Sequence, residues 1–124
     1  MNMSTIRERY AGYEADDGEP FVSDNSNPWT GGGWTPLINA CHLELVAIDP
    51  DYKINRIKEK FGGLRYSFIA SKDELNESMW AVTTKYESVS FSTCEICGRP
   101  GVLIETDTDW IKTACAEHAR AFDI

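Results

Sequence analysis

Three of the four cysteines lie close to a histidine near the end of the chain, with the spacing of a metal site. Two residues separate Cys94 from Cys97 and Cys115 from His118, and 17 residues lie between the two pairs. This spacing lets both members of a pair reach one ion from a tight turn, and two pairs complete a tetrahedron around Zn²⁺. A closed tetrahedron leaves no position for water, so we expect a structural zinc site.

The same cysteines have two other interpretations, a disulfide and a redox-active pair. Residues 1–8 lack the apolar stretch of a secretory leader, so we expect a reducing compartment that disfavours a stable disulfide. A redox pair would open a helix after a strand, whereas Cys97 precedes the turn-forming residues 98–101. Both observations favour zinc. Cys41 lies apart from these residues on an apolar helical stripe, where we expect it in the core.

The elements that position the metal site begin with a predicted helix. Thr35 is its predicted N-cap, Pro36 its first residue, and it ends before Asp49. Its apolar residues recur at spacings of three and four: Trp34, Leu37, Cys41, Leu45 and Ile48.

A β-hairpin is predicted next, over residues 54–69, with Gly62 and Gly63 as its two-residue turn. This register predicts three facing pairs: Phe61 with Leu64, Glu59 with Tyr66, and Ile57 with Phe68. Apolar side chains then share one face, with Glu59 as the exception. The other face carries the basic residues: Arg56, Lys58, Lys60 and Arg65. An alternative is a helix that is capped by Asp49 and ends at Gly62, but the sorting of apolar from basic residues favours the hairpin.

A second helix is predicted after the capping box Ser71 to Glu74. Its apolar stripe consists of Leu75, Met79, Val82, Tyr86 and Val89. Residues 102–112 then predict a second hairpin, and residues 115–122 predict a short helix that carries the last two metal ligands. A cysteine turn, a hairpin and a ligand-bearing helix follow one another in the order of a treble-clef zinc unit.

The predicted fold class is therefore α+β: small antiparallel hairpins packed against two helices, with a C-terminal treble-clef-like zinc unit. We divide the chain into an acidic, flexible arm (residues 1–33), an α+β core (34–92) and a zinc-binding unit packed on that core (93–124). The arm is assigned from its glycines, prolines and acids, which show no regular apolar period.

Charge limits the function classes. The formal net charge is −8, so the chain as a whole is repelled by nucleic acid and by anionic membranes. Residues 54–72 are the exception, with five bases and one acid. No apolar run approaches the roughly 18 residues of a membrane span.

Catalytic equipment is not recognisable, and we predict that the protein is not an enzyme. His118 is assigned to zinc, and His42 is adjacent to Cys41 on a helix, where neighbours point about 100° apart. Gly31 to Gly33 lack the following Lys-Ser/Thr of a phosphate-binding loop. No catalytic residue is therefore assigned.

The chain resembles a family of small, mostly uncharacterised phage and prophage proteins. The resemblance covers about residues 33–120 and is carried by three segments: Gly33-Trp34, the central motif Ile57 to Tyr66 (IKEKFGGLRY), and Thr93 to His118 with Trp110 and Thr113 between the ligands. Ser67 departs from the pattern, which often has an aromatic residue there. The resemblance implies a phage or mobile-element origin and hence a location in the host cytoplasm, but no particular activity.

Two functions remain open at this point. The first is a protein-binding module whose partner is an unidentified host protein, such as a defence protein that it inhibits, by analogy with other small acidic phage proteins. The second is an accessory protein that binds nucleic acid through Arg56, Lys58, Lys60 and Arg65. A hydrolase with an unrecognised site is a third hypothesis.

Overall fold

The structure is a computed structural model that describes residues 6, 8–9, 30–105 and 111–122. Within these ranges the fold is α+β, with two antiparallel hairpins and two main helices, as the sequence predicts. The elements are α1 (Thr35–Ile48), β1 (Lys53–Lys60), β2 (Gly63–Ile69), α2 (Asn76–Ser90), β3 (Val102–Glu105), β4 (Ile111–Ala114) and α3 (Ala116–Phe122). Most of the predicted arm at 1–33 and Trp110 lie outside the described residues.

Helix α1 follows a single 3₁₀ turn, Gly32–Trp34, and its N-cap is Trp34 rather than the predicted Thr35. Pro36 lies in the first helical turn, where its missing N–H is not needed. The helix ends at Ile48, as predicted, and the next residue, Asp49, has extended backbone angles.

The first hairpin is confirmed, and the alternative helix over this segment is wrong. The predicted turn lies one residue too far along the chain, so the predicted pairing is shifted by two residues. The turn consists of Phe61 and Gly62, which both have positive φ (54° and 84°), so Lys60 pairs with Gly63 and Glu59 pairs with Leu64. Phe61 is consequently 62% exposed instead of facing Leu64.

Packing explains why Gly63 is a strand residue. A Cβ on Gly63 would lie 2.5 Å from Cζ of Phe91, so the aromatic ring that follows α2 covers this position. An irregularity between Ile54 and Arg56 adds one residue to β1. It allows both Ile54 and Ile57 to face the core, although they are three residues apart.

The predicted capping box is wrong, because Ser71 has another partner. Its amide and its hydroxyl both donate to the carboxylate of the buried Asp49, at 2.7 and 2.8 Å. A 3₁₀ turn, Asp73–Leu75, then leads into α2, which begins at Asn76 without a side-chain cap. Asp49 therefore ties the end of α1 to the segment that follows β2. The stripe of α2 is buried at Met79 and Val82 and exposed at Val89, near its end.

The main core combines apolar side chains with a buried chain of hydrogen bonds. Its fully buried members include Trp34, Ile38, Cys41, Leu45, Tyr52, Ile54 and Met79. Nδ1 of His42 lies 2.7 Å from the hydroxyl of Tyr52, which lies 2.7 Å from the hydroxyl of Tyr66. The chain satisfies three polar groups that burial would otherwise penalise. In the described part of the chain, no helix is long and apolar enough to cross a membrane.

His42 makes stability depend on pH. Burial, with Arg9 as a second cause, lowers the pKa of His42. Protonation is then favoured in the unfolded chain, where the pKa of histidine is about 6.5. The contribution of neutral His42 to stability is therefore complete above about pH 6.5 and is lost as the pH falls. We expect the free energy of unfolding to decrease as the pH falls below about 6.5.

The control is His42→Gln, which keeps a polar partner for Tyr52 but does not titrate. Chemical denaturation at several pH values should give a steeper dependence for the wild-type chain. Comparing the two chains cancels the pH dependence of the metal ligands, which both share. An equal pH dependence of the free energy of unfolding in the two chains would contradict this role of His42.

Candidate metal centre

The four predicted ligands converge on one point. The sulfur atoms of Cys94, Cys97 and Cys115 and a ring nitrogen of His118 all lie within 4.8 Å of one another. The Sγ atoms of Cys97 and Cys115 are 3.7 Å apart, and Nδ1 of His118 lies 3.6 Å from Cys94 and 3.4 Å from Cys115. The cluster is compatible with a bound metal ion.

These separations fit a small tetrahedral site. Metal–sulfur bonds of about 2.3 Å and metal–nitrogen bonds of about 2.1 Å give tetrahedral edges of roughly 3.8 Å between sulfurs and roughly 3.6 Å between sulfur and nitrogen. The measured separations lie close to both values, although no disulfide links any of these cysteines. Three thiolates and one imidazole would fill all four positions of such an ion.

A tight turn of the backbone presents the first two ligands. The amide of Cys94 donates to the carbonyl of Arg99, and the amide of Gly98 donates to the carbonyl of Cys94. Gly98 has φ of 86°, which glycine adopts without steric cost and which directs the chain back toward its start. We call residues 94–98 the cysteine turn.

The other two ligands lie where β4 meets α3. Cys115 follows the last residue of β4, and its carbonyl accepts a hydrogen bond from Ala119 in the first turn of the helix. The amide of His118 lies 3.4 Å from the sulfur of Cys115, so the helix start brings this pair together. The order of cysteine turn, hairpin and helix agrees with the sequence prediction.

At two of the three cysteines the surroundings favour the thiolate form that binds metals. Hydrogen bonds from the side chain and the amide of Arg99 lower the pKa of the exposed Cys97 to about 6. Burial raises the pKa of Cys94, but hydrogen bonds from the backbone of the site outweigh this effect and lower it overall. Arg99 also forms an ion pair of 2.6 Å with Glu117 on α3. Two of the ligands are thus electrostatically prepared for a cation.

The start of α1 is joined to the cysteine turn through the backbone. The amide of Gly33 donates to the carbonyl of Glu95 at 2.7 Å, and the amide of Gly31 donates to the Glu95 carboxylate at 3.0 Å. Nε1 of Trp34 donates to the carbonyl of Thr93 at 2.9 Å. A Cβ on Gly33 would lie 2.3 Å from the carbonyl oxygen of Cys94, so this approach requires glycine. The Gly-Trp pair singled out in the sequence therefore contacts the metal centre's backbone.

The turn of the first hairpin is joined to the same unit. The hydroxyl of Thr113 donates to the carbonyl of Gly62 at 2.6 Å. Glu59 accepts from the amide of Gly62 at 2.8 Å and from Nζ of Lys112 at 3.0 Å. Lys112 also lies 3.9 Å from the buried carboxylate of Glu95. Glu59, the apparent exception on the apolar face, thus pairs with a cation from the distant β4.

The four predicted binding residues share the outer face of the first hairpin. Lys58 lies directly opposite Arg65, and Arg56 lies opposite Ser67. Arg56, Lys60 and Arg65 are exposed, and Lys58 is partly buried. Arg65 pairs with Glu87 on α2 at 3.4 Å. We call these four residues the basic face.

The adjacent Cys41 and His42 lie inside the main core and do not form an accessible pair. Both are at most 1% exposed, and the pKa of Cys41 is raised by burial, with Glu44 as a smaller cause. Cys41 is a core residue, as the sequence predicts. Sequence reasoning missed the bond of His42 to Tyr52, because nothing in the local pattern indicates it.

Comparison with known proteins adds no identification: no family model, no curated protein and no solved structure matches the chain. The resemblance to phage and prophage proteins therefore stays a prediction.

The metal centre predicts a clear difference between two cysteine variants. Cys97→Ser removes one of four ligands, so after dialysis against a chelator we expect less than about a tenth of the metal bound by the wild-type chain. Its melting temperature should fall as well, because the ligands hold three backbone segments together. Cys41→Ala is the matched control and should retain one metal ion per chain, measured by elemental mass spectrometry. Equal metal content in both variants would contradict the site.

Lys112 predicts a large effect on stability. Its side chain is 13% exposed and faces the carboxylates of Glu59 and Glu95. Lys112→Met leaves the carboxylates of Glu59 and Glu95 without this cation. We therefore expect the free energy of unfolding to fall by about 3 kcal/mol. Lys85→Met is the control, because Lys85 pairs with Glu44 in an exposed ion pair, where little change is expected. Denaturant titration measures both, and similar values for the two variants would contradict a buried network.

Proposed function

We propose that the cluster binds Zn²⁺ in a treble-clef-like unit and that the ion has a structural role. Three thiolates and an imidazole match the donor preference of zinc, and four protein ligands leave no open position for a substrate or an activated water. The contacts from Gly33, Trp34 and Gly62 support a structural role, because they connect the site to the core.

We further propose that the protein is a binding module encoded by a phage or mobile element and acts in the host cytoplasm. Its partner is a host protein, and inhibition of a defence protein is the role that this origin suggests. The resemblance over residues 33–120 supports the origin. The protein is not proposed to be an enzyme, because its two histidines are committed to the metal cluster and to the buried chain with Tyr52.

The basic face is the observation that carries the binding proposal. Lys58 and Arg65 face each other across the strand pair, and like charges in this position destabilise a sheet. Folding does not require this arrangement, because the apolar side of the hairpin already packs on the core. A cationic surface maintained at a cost, in a chain of charge −8, is well suited to an acidic protein surface.

Nucleic-acid binding is the second candidate, and the same four cations favour it. Two features weaken it. Arg65 is partly neutralised by Glu87. The net charge of −8 also opposes a phosphate backbone, whose charges extend along its whole length, more strongly than it opposes one acidic patch on a protein. A host protein therefore remains the better proposal.

Charge reversal separates the two candidates. We expect the double variant Lys58→Glu, Lys60→Glu to recover at least about tenfold less of its protein partner from host lysate than the wild-type chain. A variant with the same change of charge outside the first hairpin, Lys72→Glu with Lys85→Glu, should recover the partner normally. Affinity purification with quantitative mass spectrometry measures both.

Nuclease treatment of the lysate decides the class of partner. A protein that is retained after treatment and lost in the double variant supports the proposal. Partners that disappear on treatment, together with an affinity for duplex DNA that falls steeply with salt, would favour the nucleic-acid function instead.

A further inference from the structure

Phe61 occupies a position that folding alone does not favour. It is the first residue of a two-residue turn, with φ of 54°, where asparagine, aspartate or glycine is preferred. A bulky side chain at positive φ is strained. Burial does not compensate for the strain, because Phe61 is 62% exposed. Residues that break local rules without a gain in packing are found most often where a protein binds or reacts.

A second exposed apolar side chain lies beside this turn. Cδ2 of Leu103, on β3, covers Gly62 so closely that a Cβ there would lie only 2.6 Å away. Leu103 is itself 50% exposed. Two exposed apolar residues therefore adjoin Gly62, Phe61 as its neighbour in the chain and Leu103 by packing against it, and we call them the apolar tip (Phe61 and Leu103).

Cations adjoin the apolar tip. Nζ of Lys60 lies over the ring of Phe61, 5.6 Å from its centre. Lys58 follows on the same face of β1, two residues away. An apolar centre with a charged rim is the usual anatomy of a protein interface.

We propose that Phe61 is the anchor of the interface and inserts into an apolar pocket on an acidic protein partner. Leu103 contacts the pocket's edge, and Lys58 and Lys60 pair with acids around it. This inference rests on the proposed protein-binding function and assigns its central contact and the chemistry of its partner. Large aromatic side chains that fill pockets provide most of the affinity in many interfaces.

The geometry favours a protein over nucleic acid at this tip. Stacking on a base uses an open face of an aromatic ring, and Lys60 covers one face of Phe61. The aliphatic Leu103 matches an apolar pocket and has no π-face on which a base could stack. Charge complementarity then selects an acidic partner for the lysines.

The test uses Phe61→Asn, for which stability and binding should change in opposite directions. Asparagine tolerates positive φ, so we expect the melting temperature to rise by about 4 °C. The binding probe is a synthetic peptide chosen from a random displayed library selected on the wild-type protein. We expect the selected peptides to be acidic with an apolar residue, and Phe61→Asn to weaken their binding at least about tenfold.

Leu43→Ala is the control, because Leu43 is also an exposed apolar residue (49%) but lies on α1, outside the first hairpin. It should bind the peptide as the wild-type chain does. Equal affinity of Phe61→Asn and wild type would overturn the inference, as would a lower melting temperature for Phe61→Asn. The proposal of a protein partner would be overturned if no peptide were selected and the chain bound mixed-sequence duplex DNA through Phe61.

The charge variant distinguishes this inference from the function on which it rests. Peptide binding that is lost in Lys58→Glu, Lys60→Glu but kept in Phe61→Asn would overturn the anchor and leave the basic face as the binding surface. Binding that neither variant reduces would overturn both proposals. Loss in both variants supports the anchor within a charged rim.

Discussion

The close approach of Gly33 to the cysteine turn is the contact that joins the main core to the candidate metal centre. A side chain of any size at this position would meet the carbonyl of Cys94, and the amide of Gly33 already uses the carbonyl of Glu95. Trp34 adds a bond to Thr93 while its ring lies in the main core. One short segment thus starts α1, contributes Trp34 to the core and fixes the backbone that presents Cys94 and Cys97.

A second set of contacts joins the first hairpin to later parts of the chain and explains the composition of the central motif, residues 57–66. Glu59, Gly62 and Gly63 belong to the first hairpin, yet each has a partner beyond it, in Lys112, Thr113 and Phe91 respectively. The inward half of the motif therefore packs against later parts of the chain. Its outward half, with Lys58, Lys60 and Phe61, is available to a partner. A single run of ten residues serves both purposes because strand side chains alternate in direction.

The sequence predicts correctly those features that depend on residues close together along the chain. The ligand spacing identified all four members of the Cys/His cluster. Apolar periodicity identified both main helices, and a glycine turn with apolar residues sorted from basic ones identified the first hairpin. The register of the first hairpin was mispredicted because Gly62-Gly63 resembles a turn dipeptide, whereas Gly63 is small in order to fit beneath Phe91. Ser71 was mispredicted for a similar reason, since its partner Asp49 is 22 residues away.

Long-range pairs account for what was missed. Glu59 and Lys112 are 53 residues apart, and Gly31 and Glu95 are 64 residues apart. No local period or motif indicates such partners, because they depend on how whole elements pack. The hydrogen-bond chain from His42 to Tyr66 belongs to the same class, since α1, the following loop and β2 each contribute one member.

Amide hydrogen exchange, followed by NMR before and after chelation of the metal, tests most directly whether the start of α1 and the cysteine turn are joined. The amide of Gly33 donates to the carbonyl of Glu95, and the amide of Glu95 donates to the carbonyl of Thr113. The amide of Asp49 donates instead to the carbonyl of Leu45, within the end of α1. We expect chelation to reduce the protection of Gly33 and Glu95 by a similar factor and to leave that of Asp49 nearly unchanged. Loss of protection at Glu95 while Gly33 stays protected would show that the start of α1 is held independently of the metal centre, and would contradict the joint.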